Sequence, residues 1–185
     1  MKQETLFAAL CVPLVVTVSP CFSADYLSIA QAQKILFPDA TAFEQATLAL
    51  SEQQRDFIKD KSGTRQRQAT QSVWRATQGD QLLGWVLADD VIGKHEFISY
   101  AVGVSAIGEV KGVEILSYRE THGGQIREAP WREQFVGKTL HDPFKLNKDI
   151  ANISGATLSC RNVTDGVKRL LVLWQYFLNV NAQTP

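Results

Sequence analysis

The sequence predicts an α+β domain: a twisted antiparallel sheet, half-barrel-like, with helices packed on it. Three observations carry that expectation. Four short strand-like runs follow one another between residues 73 and 118 with only brief turns between them, whereas parallel pairing needs crossovers of about a dozen residues or more. Beyond them Val163, Val167, Leu170, Leu171, Trp174 and Leu178 recur at helical spacing, giving one long helix an apolar face to lay on the sheet. Just before that helix stands a run of small and hydroxyl residues, Ser154-Gly155-Ala156-Thr157-Leu158-Ser159-Cys160.

Taken in chain order, the first segment reads as a leader. After Lys2 an apolar run from Leu6 to Val18 is followed by Ser19-Pro20-Cys21-Phe22-Ser23-Ala24. The run is shorter than the ~20 residues that span a bilayer as a helix, and small residues at Cys21, Ser23 and Ala24 suit cleavage. The expectation is a signal peptide over 1–23, against a buried helix or a retained anchor, and no stable membrane span once it is removed. Glu4 offsets Lys2 in the segment's basic end, and Pro20 before Cys21 speaks against a lipid-modified cysteine.

Ser28 to Phe37 carries Ile29, Ala32, Gln33, Ile35 and Leu36 as a short amphipathic helix stopped by Pro38. Ser51 is a good N-cap for a second helix holding Phe57 and Ile58, which Gly63 ends. Lys59 to Thr70 is polar and basic, a solvated loop or sheet edge. Residues 24–72 are therefore expected to be a helical extension packed on a domain over 73–179. The strands are read at Val73–Ala76 and Leu82–Ala88 around a Gly79-Asp80 hairpin turn, then Phe97–Val104 and Val110–Tyr118. Gly103 and Gly112 inside them suggest bulges or close backbone approach. Trp131–Phe135 is expected to form a helical turn closed by Gly137, and 180–185 a loose tail.

Bulk properties exclude several functions. Of the 185 residues 45% are hydrophobic and 21% charged, ordinary for a globular chain. Nineteen basic and nineteen acidic residues leave no net charge, so no field draws the protein to nucleic acid or an anionic membrane. If Cys11 and Cys21 leave with the leader, Cys160 stays alone and cannot form an internal disulfide. There is no CxxC, no CxxCH and no His/Cys pair at zinc spacing, and His95, His122 and His141 are scattered. No metal or haem site is predicted.

The small-hydroxyl run has three physical properties. Gly155 and Ala156 leave the backbone accessible and free to turn. Thr157 and Ser159 offer hydroxyls. A helix start leaves N–H groups without intrahelical partners and places partial positive charge there. Together these suit a phosphate; a simple turn with Ser159 as the helix cap fits the same residues.

Ser154-Gly155-Ala156-Thr157, with Ser159 two residues on and a helix following from Val163, resembles the flavinylation motif of the FMN-binding domain family. That domain occurs in the C and G subunits of sodium-pumping and Rnf-type respiratory complexes and in small exported relatives. Tyr118-Arg119-Glu120-Thr121 after the strand Gly112–Leu116 resembles the family's Glu-Thr segment, and Trp131 with Phe135-Val136-Gly137-Lys138 its Trp…Phe-x-Gly-Lys stretch. The likeness runs from about Glu96 to Phe177. It implies FMN joined covalently to Thr157 by a phosphoester, attached by a separate flavin transferase that uses FAD as donor with a divalent cation. It also implies flavin contacts from Ser154, Gly155, Ala156, Leu158, Ser159, Glu120 and Thr121.

The chain departs from the large subunits in its length, in His122-Gly123-Gly124 where a proline is frequent, and in Cys160 where serine is common. These departures favour a small exported relative. A threonine hydroxyl is a weak nucleophile and no base is adjacent in sequence, so the transferase is expected to activate Thr157. The function implied is an exported, periplasmic flavoprotein that transfers electrons between a membrane-bound redox protein and an acceptor; the flavin does the chemistry and the protein orients it. The alternatives are a flavin-dependent reductase of a small extracytoplasmic substrate and a binding module that has lost the flavin. Cys160 is read as a packing residue or a redox thiol, Trp131 and Trp174 as core or as flavin-stacking rings, and Glu120 as a flavin contact or a turn cap.

Overall fold

A computed structural model describes residues 26–179; the expected leader and the expected loose tail lie outside the described residues. Helix α1 (Ile29–Leu36) and helix α2 (Glu52–Ser62) both start with a capping box, Ser28 with Gln31 and Ser51 with Gln54. Each serine hydroxyl accepts a backbone N–H while the glutamine reaches back, satisfying two otherwise unpartnered donors. Gly63 ends α2 in the left-handed region at φ +80°, where glycine carries no Cβ penalty.

Five strands form one antiparallel meander in chain order: β1 (Ala42–Ala49), β2 (Thr70–Gln78), β3 (Gln81–Ile92), β4 (Phe97–Ser105) and β5 (Val110–Tyr118). Gly79-Asp80 forms the two-residue turn that pairs Gln78 with Gln81. The stretch 24–72, expected to be helical, also supplies β1 and the start of β2. That strand is invisible in the sequence for a physical reason: β1 is an edge whose residues are nearly all exposed, with only Phe43 and Leu48 partly covered. It has no apolar alternation to read, and its ladder to β2 and the exposed Glu44–Arg75 pair hold it in register.

The sheet is covered on both faces. On one, Ala32, Leu36 and Phe37 pack against Ala76, Val86 and Ala101. The glycines in β4 and β5 make this possible: a Cβ on Gly103 would sit 3.1 Å from Leu36 Cβ, and one on Gly112 3.0 Å from Leu36 Cδ2. On the other face lies α4 (Thr157–Leu173), continued by a π-helical turn at Trp174–Leu178. Its Val163, Val167, Leu170 and Leu171 are fully covered and join Leu87, Tyr100, Val102 and Val113 in the main core. Each such side chain contributes about 1.5–3 kcal/mol on burial.

A charged pair is buried with them. Arg169 of α4 pairs with Asp89 of β3, Tyr100 donates its hydroxyl to the same carboxylate at 2.7 Å, and Arg169 Nη1 donates to Gln66 Oε1 at 2.9 Å. Burial, and then the negative Asp89, push the Tyr100 phenol well above its ordinary range. Gln66 thus corrects the reading of Lys59–Thr70 as a wholly solvated stretch: it is 1% exposed and ties that loop to the core. The isolated run of loop glutamines and arginines has no apolar residue to announce this anchor.

Candidate functional site

The site begins two elements before α4. Trp131 sits in the short helix α3 (Ala129–Arg132), followed by a 3₁₀ turn at Glu133–Phe135. Its ring is core, against Phe135, and its indole N–H donates to the Ala151 carbonyl at 2.9 Å. Gln134 Oε1 accepts the Ala151 N–H at 2.7 Å. Both backbone groups of Ala151 are therefore held, and the buried Ile150 anchors the residue before it.

From this clamp the chain makes a tight turn into α4. The Ala156 N–H donates to the Ile153 carbonyl at 3.0 Å, and Gly155 adopts φ +80°, which its lack of a Cβ allows. Ala156 is the N-cap and has no side-chain capping bond, while Thr157 is the first helical residue. The Cys160 N–H returns to Ala156, so the N–H groups of Thr157, Leu158 and Ser159 have no intrahelical acceptor. Ser159 is not the cap: it lies inside the first turn, 2% exposed, with its hydroxyl 3.5 Å from that of Tyr118. Thr157 and Leu158 are exposed. Among the described residues the one side-chain hydrogen bond at Thr157 comes from Asn152, whose Nδ2 lies 3.0 Å from Oγ1.

Two loops complete the cavity. After β5, Tyr118 donates its hydroxyl to the His122 carbonyl, and Gly123 turns at φ +84° so close to α4 that an added Cβ would meet Ala156 Cβ at 2.1 Å. The β3–β4 turn is closed by Gly93 N–H on the Glu96 carbonyl at 2.7 Å. Glu120 Oε1 accepts the N–H groups of His95 at 2.6 Å and Glu96 at 3.0 Å. Partial burial pushes the Glu120 carboxyl up, but the backbone donors of Glu96, His95 and Lys94 outweigh it and hold the group below its ordinary range. Glu120 therefore caps this turn with its charge.

The result is a cavity of about 370 Å³ lined by Lys94, His95, Glu120, Thr121, His122 and the run Gly155–Ser159. Of the residues predicted for the site, Glu120, Thr121, Gly155, Ala156, Thr157, Leu158 and Ser159 meet there, while the exposed Ser154 does not line it. Lys94, His95 and Asn152 escape sequence reading as site residues, and in the sequence His122 is only one of three scattered histidines. The turn Gly93-Lys94-His95 between two strands carries no sign of the helix start it faces. Trp131 and Trp174 are buried outside the cavity, and the buried Cys160 has its thiol pushed up by desolvation. Among the described residues no three His, Cys, Asp or Glu groups could hold a metal. A larger cavity of about 450 Å³ has Arg169 and Asp89 among its lining residues and contains none of the Ser-Gly-Ala-Thr run.

Chemically, the arrangement brings a threonine hydroxyl, N–H donors free of intrahelical acceptors and a lysine around one opening, with the Glu120 carboxylate taken up by the N–H groups of the β3–β4 turn. That set fits a phosphate group, and the exposed Leu158 offers an apolar contact beside it.

Comparison with known proteins agrees with that chemistry. Residues 93–172 match the family model described as FMN-binding domain. The chain is similar to the G subunit of an ion-translocating oxidoreductase complex from Shewanella baltica, 38% identical over 46% of this chain and 44% of that relative. The match thus spans less than half of the relative's length. The G subunit of an ion-translocating oxidoreductase complex from Aliivibrio fischeri is 26% identical over 95% of this chain and 90% of its own. The fold resembles the crystal structure of Shewanella oneidensis NqrC with a TM-score of 0.51, covering 76% of this chain and 81% of that one at 18% identity.

Proposed function

The chain carries an FMN-binding domain related to those of the oxidoreductase G subunits and NqrC, and from that premise we propose that it bears FMN covalently on Thr157 and passes electrons. The linkage is a phosphoester, made by a flavin transferase with FAD as donor. The protein acts outside the cytoplasm, in the periplasm, after loss of its leader. Its electron partners are a membrane-bound redox protein on one side and an acceptor on the other. The relatives' names, as subunits of ion-translocating oxidoreductase complexes, support the membrane partner. Among the described residues no helix is long and apolar enough to cross a membrane.

The observation that carries this reading is the placement of Thr157. Its hydroxyl is exposed at the first position of α4, beside free N–H groups and in one cavity with Lys94, Glu120 and Thr121. Oγ1 is open to a modifying enzyme. Once esterified, it holds a phosphate where the helix start and Lys94 favour negative charge. Gly155 and Ala156 keep the approach clear, and Leu158 and Thr121 flank it. Glu120 holds the β3–β4 turn so that Lys94 and His95 stay on the cavity wall. Bound FMN supplies electron acceptance and release; the chain's residues tether it, orient it and set the charge around it.

Intact mass of the protein co-expressed with a flavin transferase tests the proposal. Wild type is expected to gain the mass of FMN minus water, and Thr157→Ala to gain nothing. An unmodified wild type sinks the covalent reading and leaves loosely held flavin or a flavin-free module; turnover of small acceptors by the loaded protein alone would favour a reductase.

A further inference from the structure

We infer that Asn152 is a positioning residue for Thr157, holding Oγ1 in the orientation in which it is modified. The inference rests on the covalent reading above. Asn152 Nδ2 donates to Thr157 Oγ1 at 3.0 Å, and this is the one hydrogen bond its side chain makes among the described residues. Its Oδ1 is buried and has no partner among the described residues. Buried amide oxygens are ordinarily satisfied, and an exception asks for a reason. Among the described residues no other partner directs this amide, so the threonine is what its placement serves.

The placement is rigid because of what precedes it. The Ala151 N–H and C=O are both taken, by Gln134 and by the Trp131 indole. Ile150 is buried before it, and the turn to Ala156 starts at Ile153. The Asn152 backbone is thus held between a two-point clamp on Ala151 and a closed turn, which sets where its amide can reach. Without it, the exposed Thr157 hydroxyl can exchange between the staggered rotamers open to a helical threonine.

The direction of the bond suits the reaction. With Nδ2 donating to one lone pair of Oγ1, the second lone pair and the hydroxyl proton both face away from Asn152. In the transfer, Oγ1 forms a bond to the FMN-side phosphorus of FAD and the pyrophosphate P–O bond breaks. AMP departs, and the hydroxyl proton passes to a base on the transferase. The new phosphodiester carries one negative charge next to an amide with a second N–H to offer. Donor bonds to such an anion are stronger than those to a neutral oxygen. Asn152 is neutral and a donor, so it serves both the nucleophile and the product.

The test is the rate of modification by purified transferase with FAD and a divalent cation. Wild type, Asn152→Ala and Asn152→Asp are followed by intact mass over a range of acceptor-protein concentrations. Asn152→Ala is expected to lower kcat roughly tenfold, about 1.4 kcal/mol of transition-state stabilisation, with KM for the acceptor protein and its melting temperature unchanged. Asn152→Asp is expected to be slower still, because a carboxylate cannot donate and repels the phosphodiester. The ³¹P resonance of the phosphodiester in the slowly loaded Asn152→Ala protein should be displaced from that of wild type. Modification of Asn152→Ala at the wild-type rate, a loss confined to KM with a lowered melting temperature, or Asn152→Asp as fast as Asn152→Ala each overturns the inference while leaving the covalent reading intact. A wild type that stays unmodified overturns both.

Discussion

Replacing Gly123 by alanine probes how tightly the loop after β5 is seated on the start of α4. Gly123 sits at φ +84°, and an added Cβ would stand 2.1 Å from Ala156 Cβ and 2.8 Å from the Tyr118 hydroxyl. Ordinary contact begins at 3.4 Å, so Ala156 and the loop must part by more than an ångström. The left-handed backbone costs an alanine about 1–2 kcal/mol, and overpacking a closed contact about 1–3 kcal/mol more. The expected loss is thus about 2–5 kcal/mol, or about 4–20 °C in melting temperature for a chain of this size. Gly79→Ala is the internal control, since Gly79 turns at φ +56° with nothing among the described residues within 4 Å of an added Cβ. It should show the backbone strain alone. Thermal unfolding by circular dichroism compares the two, and flavin attachment to each follows by mass. Ala156 immediately precedes Thr157, so Gly123→Ala should also slow attachment while Gly79→Ala should not. A Gly123→Ala protein as stable as Gly79→Ala, and loaded as readily, would refute the argument that this loop defines the position of Thr157.

Three other substitutions test the remaining parts. Glu120 has its carboxyl held below the ordinary range in the fold, so its stabilisation is complete above the unfolded value of about 4.3 and is lost as pH falls through the folded value. Glu120→Gln should therefore be less stable at neutral pH and decline less steeply in acid, read by urea unfolding from neutral pH downward; parallel curves would count against the turn-capping charge. Arg169→Met leaves Asp89 buried without its partner and should cost about 3–5 kcal/mol, whereas adding Asp89→Leu should recover part of the loss. A double variant no better than the single would show that the pair itself is not what matters. Cys160 is buried with its thiol pushed up, so a thiol reagent at mildly alkaline pH should label it only on unfolding. Labelling of the native protein would place that thiol at the surface.

The sequence alone determined whatever depends on neighbours along the chain. The capped helix at Ser51–Gly63, the hairpin at Gly79-Asp80, the strand ending at Tyr118 and the apolar stripe of α4 are local signals of period, cap and turn. The Ser-Gly-Ala-Thr run is local too: by itself it suits either a phosphate seat or a capped turn, and the resemblance to the FMN-binding domain family is what singles out Thr157. Tertiary structure decided what depends on residues far apart in the chain. Edge strand β1 has no buried face to impose an alternating pattern and is defined only by its ladder to β2. Gln66 is buried because Arg169, over a hundred positions later, needs an acceptor. Lys94 and His95 belong to the site because the Glu120 carboxylate draws a turn 24–25 residues away onto its own cavity. Asn152 reaches Thr157 because Trp131 and Gln134 hold the backbone beside it. Hydrogen bonding and burial are satisfied in space, so a local pattern can point to a candidate residue such as Thr157 but not to the groups that surround it.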